Sequence, residues 1–298
     1  PSKKISIYGQ EKEEDTVRLN KMNLAVHGLA GDIKQGISYY EDLHNSINKF
    51  DYVMANPPFN VSGVEKEKIK DDPRFPFGIP SSNNANYLWI QIFYSALKKN
   101  GRAGFVMPNS ASDAGSTEKE IRKKIIQSEI VDVLISVGSN FFYTVTLPCT
   151  LWFFDKKKDE NNRNKILFID AKQIFKQIDR AHREFTNQQI EFISNIIKLY
   201  RSEEIENNYN SVKKILEKFP NKKYRNIKGL CKLISLDEIE NKNWSLSPTQ
   251  YIEFDNKQED SSNFLQDLKN NSEELNKLNK EAKILEKKIN SNIYKIIK

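Results

Sequence analysis

The stretch Phe50-Asp51-Tyr52-Val53-Met54-Ala55-Asn56-Pro57-Pro58-Phe59 carries the clearest fold signal in the chain. Residues 50–55 form a β-prone run, and the two prolines end it because proline has no N–H to donate to a β-ladder. Asn56 and Phe59 therefore stand at the carboxyl end of a strand, where open α/β sheets place their ligands. The stretch predicts a strand that leads directly into a functional loop.

Strand-like and helix-like segments alternate on both sides of this stretch. Such alternation is typical of a Rossmann-like, doubly wound α/β sheet, and we expect that fold class. The predicted helices cover residues 15–27, 86–99 and 117–127, and the predicted strands cover residues 5–8, 50–55, 103–107, 130–137, 146–154 and 165–170. A tight polar link joins the last two strands and predicts an antiparallel hairpin at one sheet edge. We expect this domain to end near Ala171.

The rest of the chain divides into two regions. Residues 172–262 are predicted to be mostly helical, with a short strand at 230–234, and residues 263–298 to form one long helix. This tail contains neither Pro nor Gly, and its apolar residues repeat at alternating steps of four and three. The seam of the repeat comprises Phe264, Leu268, Asn271, Leu275, Leu278, Ala282, Leu285, Ile289, Asn292 and Ile296. A helix this polar needs a partner, either another subunit's helix or its own domain.

Length and composition exclude several classes of protein. The chain has 298 residues, which is room for about two domains. No run of 18 apolar residues predicts a membrane span, and no signal peptide opens the chain. Its two cysteines form no CxxC pair and its three histidines are scattered, so neither a disulfide framework nor a metal site is predicted. The net charge of +7 permits a polyanionic partner without requiring one. Because Pro1 opens a strand-like run, we expect a fragment of a longer gene product.

The tetrapeptide Asn56-Pro57-Pro58-Phe59 suits methyl transfer to an amino group of a base. The exocyclic nitrogen of adenine is a poor nucleophile, because its lone pair is delocalised into the ring. The Asn56 side-chain carbonyl and the Pro57 backbone carbonyl would accept its two N–H groups and localise that lone pair, on a backbone made rigid by the Pro-Pro step. Phe59 offers a flat face for an extruded base. The alternative is a proline-rich turn without a catalytic role.

These motifs resemble the methylation (M) subunit of type I restriction–modification systems, a DNA adenine-N6 methyltransferase that uses S-adenosylmethionine. The resemblance extends almost from end to end. Its segments are residues 7–11, 19–28, 31–32, 50–60, 84–91, 101–108, 182–185 and 243–251. It implies that residues 1–171 form a methyltransferase core from the family's second strand onward. It also implies a prokaryotic, cytoplasmic protein.

The resemblance implies roles for individual residues. Asn56-Pro57-Pro58-Phe59 would be catalytic, and Asn56 would also belong to the cofactor site. Glu11 would accept hydrogen bonds from the cofactor ribose, and Asp32 would lie near the cofactor adenine. Alternatively, Glu11 is a solvated acid in an acidic run and Asp32 is a turn residue after glycine. Tyr87 and Trp89 would either line the pocket or belong to the core.

One family feature has no counterpart in this chain. The glycine-rich cofactor loop is missing, since no G-x-G occurs in the sequence. We therefore expect cofactor binding and activity to be weak or absent. The implied partners are a DNA-specificity subunit bound through the C-terminal helix, a second M subunit, a restriction subunit, and double-stranded DNA with an extruded adenine. A basic loop would either meet DNA phosphates or simply be solvated; its residues are Lys66, Lys68, Lys70 and Arg74.

Three functions remain open at this level. The first is an adenine-N6 methyltransferase, supported by residues 56–59. The second is an inactive docking module for the specificity subunit, supported by the missing glycine loop and the C-terminal repeat. The third is an RNA or protein methyltransferase with the same loop, which the long helix disfavours. The substitution Asn56→Ala separates the first from the second, because only an enzyme loses methyl transfer.

Overall fold

The computed structural model describes residues 5–81, 83–142, 146–253 and 261–297. Contacts divide the chain into two units, residues 1–253 and 254–298, which are described separately. The strands are β1 (Ile7–Glu11), β2 (Gly31–Gln35), β3 (Phe50–Ala55), β4 (Leu97–Pro108), β5 (Val131–Val137), β6 (Cys149–Asp155), β7 (Lys165–Asp170), β8 (Lys176–Gln177), β9 (Arg183–Glu184) and β10 (Cys231–Ser235). The helices are α1 (Glu14–Val26), α2 (Asn86–Ala96), α3 (Asn109–Asp113), α4 (Ser116–Gln127), α5 (Asn187–Tyr200), α6 (Val212–Lys218), α7 (Leu236–Asn241) and α8 (Ser261–Ile297).

A six-stranded mixed sheet organises the first unit, in the order β10-β7-β5-β6-β4-β3. β3 pairs parallel with β4, and β5 pairs parallel with β7. β6 runs antiparallel to both β4 and β5, and β10 runs antiparallel to β7. The strands β3, β4, β5 and β7 therefore point the same way, and their carboxyl ends share one edge of the sheet.

Alternate side chains of the central strands enter two different cores. Along β7, Ile166 and Phe168 pack with residues of α2 and α4 on one face of the sheet. Leu167 and Ile169 pack with residues of α5 on the other face. A strand buried on both faces reads as a continuous apolar run, as β7 does. The expectation of an α/β sheet covered by helices on both faces is confirmed.

The expected hairpin between residues 146–154 and 165–170 does not form. β6 lies between β4 and β5 instead, with Trp152 opposite both Phe105 and Leu134. Trp152 and Phe154 are fully buried, which is the pattern of a central strand and not of an edge strand. The link to β7 therefore crosses over β5, and a short polar connection was a poor guide to pairing.

A separate two-stranded parallel sheet, β1–β2, precedes the large sheet. The sequence did not indicate β2, because only Ile33 of its five residues is buried and the others are polar or glycine. His44 connects this sheet to the chain that follows it, since its Nε2 lies 2.8 Å from the Gly9 carbonyl oxygen. The rings of Tyr8 and Phe50 are 5.5 Å apart, so β1 lies close to the start of β3.

Residues 172–253 differ from the expected mostly helical region. α5, α6 and α7 are present, but turns and short strands separate them. β10 pairs with β7 and so belongs to the large sheet, which means that Ala171 does not end the domain. The predicted strand at 230–234 matches β10 within one residue. Capping boxes begin α5 at Thr186 and α7 at Ser235, and each satisfies backbone N–H groups at the start of its helix.

The second unit contains α8, a single helix of 37 residues. The expected tail helix is therefore present over the described residues 261–297. The seam residues whose side chains are described include Leu275, Leu278, Leu285 and Ile289, and all four are more than half exposed. The side chains of Phe264 and Ile296 lie outside the described residues. Among the helices of the described ranges, none is long and apolar enough to cross a membrane.

Candidate active site

The candidate active site is the loop that follows β3. The parallel register of β3 and β4 places Ala55 opposite Phe105, so the chain leaves the sheet at its carboxyl edge. Pro57 is buried against the domain, while Asn56 and Pro58 are exposed. Pro57 thus anchors the loop, and Asn56 beside it stays exposed.

The side chain of Asn56 has no hydrogen-bond partner within the described parts of the chain. Because Asn56 is exposed and unpaired within those parts, its amide is solvated and does not hold the fold together. An exposed amide with free acceptor capacity at a strand end is instead available to a ligand. Asn56 therefore has the accessibility that its predicted role as an acceptor requires.

Hydrogen bonds among asparagine side chains hold the loop in place, beginning at Asn60, the residue after Phe59. Asn60 has a φ of 54°, a left-handed conformation that asparagine tolerates better than most residues. Its Oδ1 accepts hydrogen bonds from Asn84 Nδ2 and Asn86 Nδ2, both at 2.9 Å. Asn86 is nearly fully buried at the first position of α2. The loop after β3 is therefore joined to the start of α2 by paired amides.

Phe142 meets Phe59 across the site. The ring centroids are 6.4 Å apart with an interplanar angle of 89°, an edge-to-face arrangement. Phe142 lies just beyond β5, whose carboxyl end shares the sheet edge with β3. Phe59, three residues after Asn56, thus packs against an aromatic ring from a segment far away in the sequence.

The two carboxylates predicted to bind cofactor are not brought together. Glu11 ends β1 at its carboxyl edge, and its Oε1 accepts the backbone N–H of Glu13 at 3.0 Å. Asp32 lies near the amino end of β2, opposite Tyr8. Its Oδ2 lies 3.6 Å from both Lys34 Nζ and His44 Nδ1. Asp32 lies opposite Tyr8, three residues before Glu11, so about 10 Å separate the two positions along the strands. The structure therefore favours Glu11 over Asp32 as a cofactor ligand at the carboxyl end of β1.

The residues Tyr87 and Trp89 of α2 have different surroundings. Tyr87 is fully buried, its hydroxyl donates to the Ala111 carbonyl at 2.6 Å, and burial raises its pKa to about 12. This side chain belongs to the core. Trp89 is partly buried, and its ring packs edge-to-face on Tyr39 with centroids 5.6 Å apart. Neither ring contacts Phe59 among the described aromatic pairs.

The long loop between β3 and α2 is packed. Ile69 and Phe75 are buried with Leu88 of α2 in a small apolar core of their own. Gln91 fixes the second half of the loop, since its Oε1 accepts the Phe77 N–H at 2.9 Å. The loop therefore forms a stable wall beside the site, although it has almost no regular secondary structure.

The basic side chains of this loop are already engaged. Arg74 is buried, and its guanidinium bonds Asp72 and the carbonyls of Ser38 and Glu41. The four engaged pairs are Lys66 with the Ser81 carbonyl, Lys68 with Glu65, Lys70 with Glu67, and Arg74 with Asp72. Because acidic neighbours balance most of this charge, the loop is a weak candidate for binding phosphate.

Comparison with known proteins shows which proteins this chain is similar to. Residues 1–260 match the N-6 DNA methylase family. The type I restriction enzyme MjaIX methylase subunit of Methanocaldococcus jannaschii is 42% identical over 214 residues, which is 70% of this chain and 38% of that relative. The HindI methylase subunit of Haemophilus influenzae is 34% identical over 200 residues, covering 66% of this chain and 45% of that relative.

A solved structure gives the same result for the fold. The type I restriction-modification methyltransferase subunit from Streptococcus thermophilus superimposes with a TM-score of 0.69 at 26% identity, covering 83% of this chain and 48% of that chain. The mixed sheet and the loop at its carboxyl edge define an α/β methyltransferase domain. The chain belongs to the N-6 DNA methylase family, and its predicted resemblance to type I methylation subunits is confirmed. It spans less than half the length of each of these three relatives.

Sequence reasoning missed three residues of this site. Asn60 and Asn86 lie inside stretches that resemble the family, but nothing in the sequence indicated that their amides pair. Phe142 follows a predicted strand, and that position at the carboxyl edge was its only signal. In the described ranges, no cluster of His, Cys, Asp or Glu could hold a metal ion.

Proposed function

We propose that this chain provides the acceptor half of a site that transfers a methyl group from S-adenosylmethionine to N6 of adenine in DNA. It would act as part of the modification subunit of a type I restriction–modification complex. The observation that carries this proposal is the exposed, unpartnered Asn56 at the carboxyl end of β3, followed by Phe59, which packs against Phe142. Membership of the N-6 DNA methylase family supports the choice of substrate.

The residues of the loop would act on the adenine by position and polarity. The Asn56 side-chain oxygen and the Pro57 carbonyl accept the two N–H groups of the amino nitrogen and direct its lone pair outward. Because Phe59 and Phe142 are perpendicular, one ring stacks on the extruded base and the other borders it. No strong base is required, because the sulfonium of the cofactor supplies an activated methyl group when it is bound. The rate enhancement comes mainly from alignment.

The residues present fit only one end of the cofactor. Glu11 uses one carboxylate oxygen for the Glu13 N–H and keeps acceptor capacity on the other, which suits a pair of ribose hydroxyls. Asp32 has cationic neighbours and stands at the opposite end of its strand. The chain has no G-x-G turn for the methionine end of the cofactor. We therefore assign Glu11 to the ribose and expect cofactor binding by this chain alone to be weak.

The helix α8 supports a role in subunit assembly. Its exposed apolar seam would pack against helices of a DNA-specificity subunit, in a complex that also contains a second M subunit and a restriction subunit. The same seam supports the alternative function, an inactive docking module. Methyl transfer by the assembled complex distinguishes the two.

The test is methyl incorporation into DNA by the chain co-expressed with its specificity subunit, comparing the parent with Asn56→Ala. We expect incorporation to fall by at least about a hundredfold, because the amino group loses its alignment. Asn241→Ala, which alters an exposed asparagine at the end of α7, is the matched control and should retain full activity. A parent complex that assembles but transfers no methyl group would favour the docking module. Equal activity of the parent and Asn56→Ala would refute the proposed role of Asn56.

A further inference from the structure

A short hairpin, β8–β9, projects beside the candidate active site. Lys176 pairs with Glu184 and Gln177 with Arg183 in its two-residue ladder. The turn is closed by the Ile178 N–H, which donates to the His182 carbonyl at 3.0 Å. Arg180 is exposed at the tip of this turn.

Backbone and aromatic contacts place the hairpin at the edge of the sheet that carries Asn56. The Arg183 N–H donates to the Asn140 carbonyl at 2.8 Å, just beyond the carboxyl end of β5. The rings of Phe185 and Phe141 are 4.6 Å apart. The next residue, Phe142, meets Phe59. The hairpin is thus attached to the segment that supplies one wall of the site.

The hairpin carries two arginines that its own acids do not neutralise. Asp179 hydrogen-bonds His182, and Glu184 pairs with Lys176 at 3.3 Å. Arg183 lies 4.0 Å from the centroid of the Phe175 ring and donates to Gln177, a neutral side chain. Arg180 forms no ion pair within the described residues. The long loop between β3 and α2 differs in this respect, because most of its basic side chains are paired with acids.

We propose that the β8–β9 hairpin binds the DNA backbone next to the extruded adenine, with Arg180 and Arg183 as its phosphate ligands. This inference rests on the proposed function, since it assumes that DNA enters at the edge carrying Asn56. A planar guanidinium presents paired N–H donors that match phosphate oxygens. Stacking on Phe175 holds the Arg183 guanidinium, and the closed turn holds the backbone at Arg180. Such contacts position DNA without reading its sequence.

The first test is the salt dependence of DNA binding, measured by fluorescence anisotropy with a labelled duplex and the full chain. Each lost phosphate contact lowers the log–log salt slope by about one and, at 0.1 M salt, weakens binding roughly eightfold. Arg180→Ala should show both effects, and Arg180→Glu larger ones. Arg163→Ala is the matched control, because Arg163 is an exposed arginine at the opposite edge of the sheet, just before β7. It should leave the slope unchanged.

Several results would overturn the proposal. The first is a salt slope for Arg180→Ala equal to that of the parent, and the second is an equal loss of DNA affinity in Arg163→Ala. The third is no binding of duplex DNA by the parent at 50 mM salt. The fourth is that Arg180→Ala weakens the binding of duplex RNA but not that of duplex DNA. Asn56→Ala distinguishes a failure of the proposed function from a failure of this proposal, because it should lower methyl transfer at least about a hundredfold and leave the salt slope unchanged. If Arg180→Ala weakens DNA binding in a complex that never transfers methyl groups, the hairpin still binds DNA and only the proposed reaction fails.

A second measurement does not depend on affinity. Both native cysteines are buried, so a photoreactive thiol reagent will label Arg180→Cys selectively. We expect the labelled variant to crosslink to duplex DNA upon illumination, and an equally labelled Arg163→Cys not to. Crosslinking of both variants to the same extent, or of neither, would contradict a DNA contact at this hairpin.

Discussion

Asn60 and Asn86 form a reciprocal pair of hydrogen bonds at the base of the loop that follows β3. The Asn60 N–H donates to Asn86 Oδ1 at 3.0 Å, and Asn86 Nδ2 donates to Asn60 Oδ1 at 2.9 Å. Both groups of the Asn86 amide are thereby satisfied at a buried position. The pair connects the residue after Phe59 to the first turn of α2, so it controls the direction in which the loop leaves β3.

Asn86→Ala should therefore impair catalysis as well as stability. Losing a buried amide and leaving its partners unpaired costs about 1–3 kcal/mol of stability, and we expect kcat for methylation by the complex to fall at least about tenfold because alignment is lost. Asn83→Ala is the control, since Asn83 also accepts a backbone N–H of this loop, that of Gly63, but at an exposed site. Thermal unfolding and single-turnover rates measure the two effects. Equal rates for both variants would contradict a positioning role for Asn86.

Phe142→Ala should weaken the binding of the extruded base. Stacking of a base on an aromatic ring is worth roughly 1–3 kcal/mol, so binding of the extruded state should weaken about five- to hundredfold. A 2-aminopurine at the target position of the DNA reports extrusion by its fluorescence in the assembled complex. Phe142→Tyr keeps the flat face and should restore the signal. If Phe142→Ala gives the parent's fluorescence and rate, Phe142 does not contact the base.

Both cysteines should be unreactive in the folded chain near neutral pH. Burial raises the pKa of Cys149 to about 11 and the pKa of Cys231 to about 11. At pH 8 the reactive thiolate is then only about a thousandth of each thiol. Titration with a chromogenic disulfide should detect no rapid reaction in the native chain and two thiols after denaturation. Rapid labelling of the native chain would show that one of these sites opens readily.

The Arg74–Asp72 pair should make the long loop sensitive to acid. Burial opposes ionisation of Asp72, but hydrogen bonds from Arg74 outweigh it and hold the pKa of Asp72 below its usual value of 3.8. A depressed carboxyl pKa contributes stability at pH values above the unfolded-state pKa, and this contribution disappears as the pH falls through the folded-state pKa. Resistance of residues 61–81 to proteolysis should therefore decline below about pH 4. Asp72→Asn should remove that dependence and Glu67→Gln, at an exposed pair, should preserve it.

Two adjacent residues of α8, one in the heptad seam and one outside it, allow a matched test of subunit docking. Leu285 is a seam position and Ile284 is not, although both are exposed apolar side chains on the same helix turn. Leu285→Asp should disrupt co-purification with the specificity subunit, because a seam carboxylate would be buried without a partner. Ile284→Asp should retain it. Equal retention by both variants would show that this seam is not the docking surface.

Local patterns were reliable wherever the chemistry of neighbouring residues decided the structure. The strand at 50–55 ends at two prolines, and the strand at 165–170 is an apolar run between polar links; both have the bounds that were predicted. The helices α1 and α4 agree with prediction within about one residue. By contrast, β2 escaped notice because an almost wholly exposed strand has no apolar alternation to reveal it.

Pairing between distant segments depended on the fold as a whole. The sequence could identify Asn56 and Phe59, because a strand broken by prolines defines its own terminal loop. It could not place β6 between β4 and β5, Phe142 against Phe59, or the two arginines of the hairpin beside the site. Those arrangements depend on which strands pair and on how both faces of the sheet are buried. No short stretch of sequence determines that strand order. Local sequence thus defined the loop of the candidate site, and packing between distant segments decided which groups surround it.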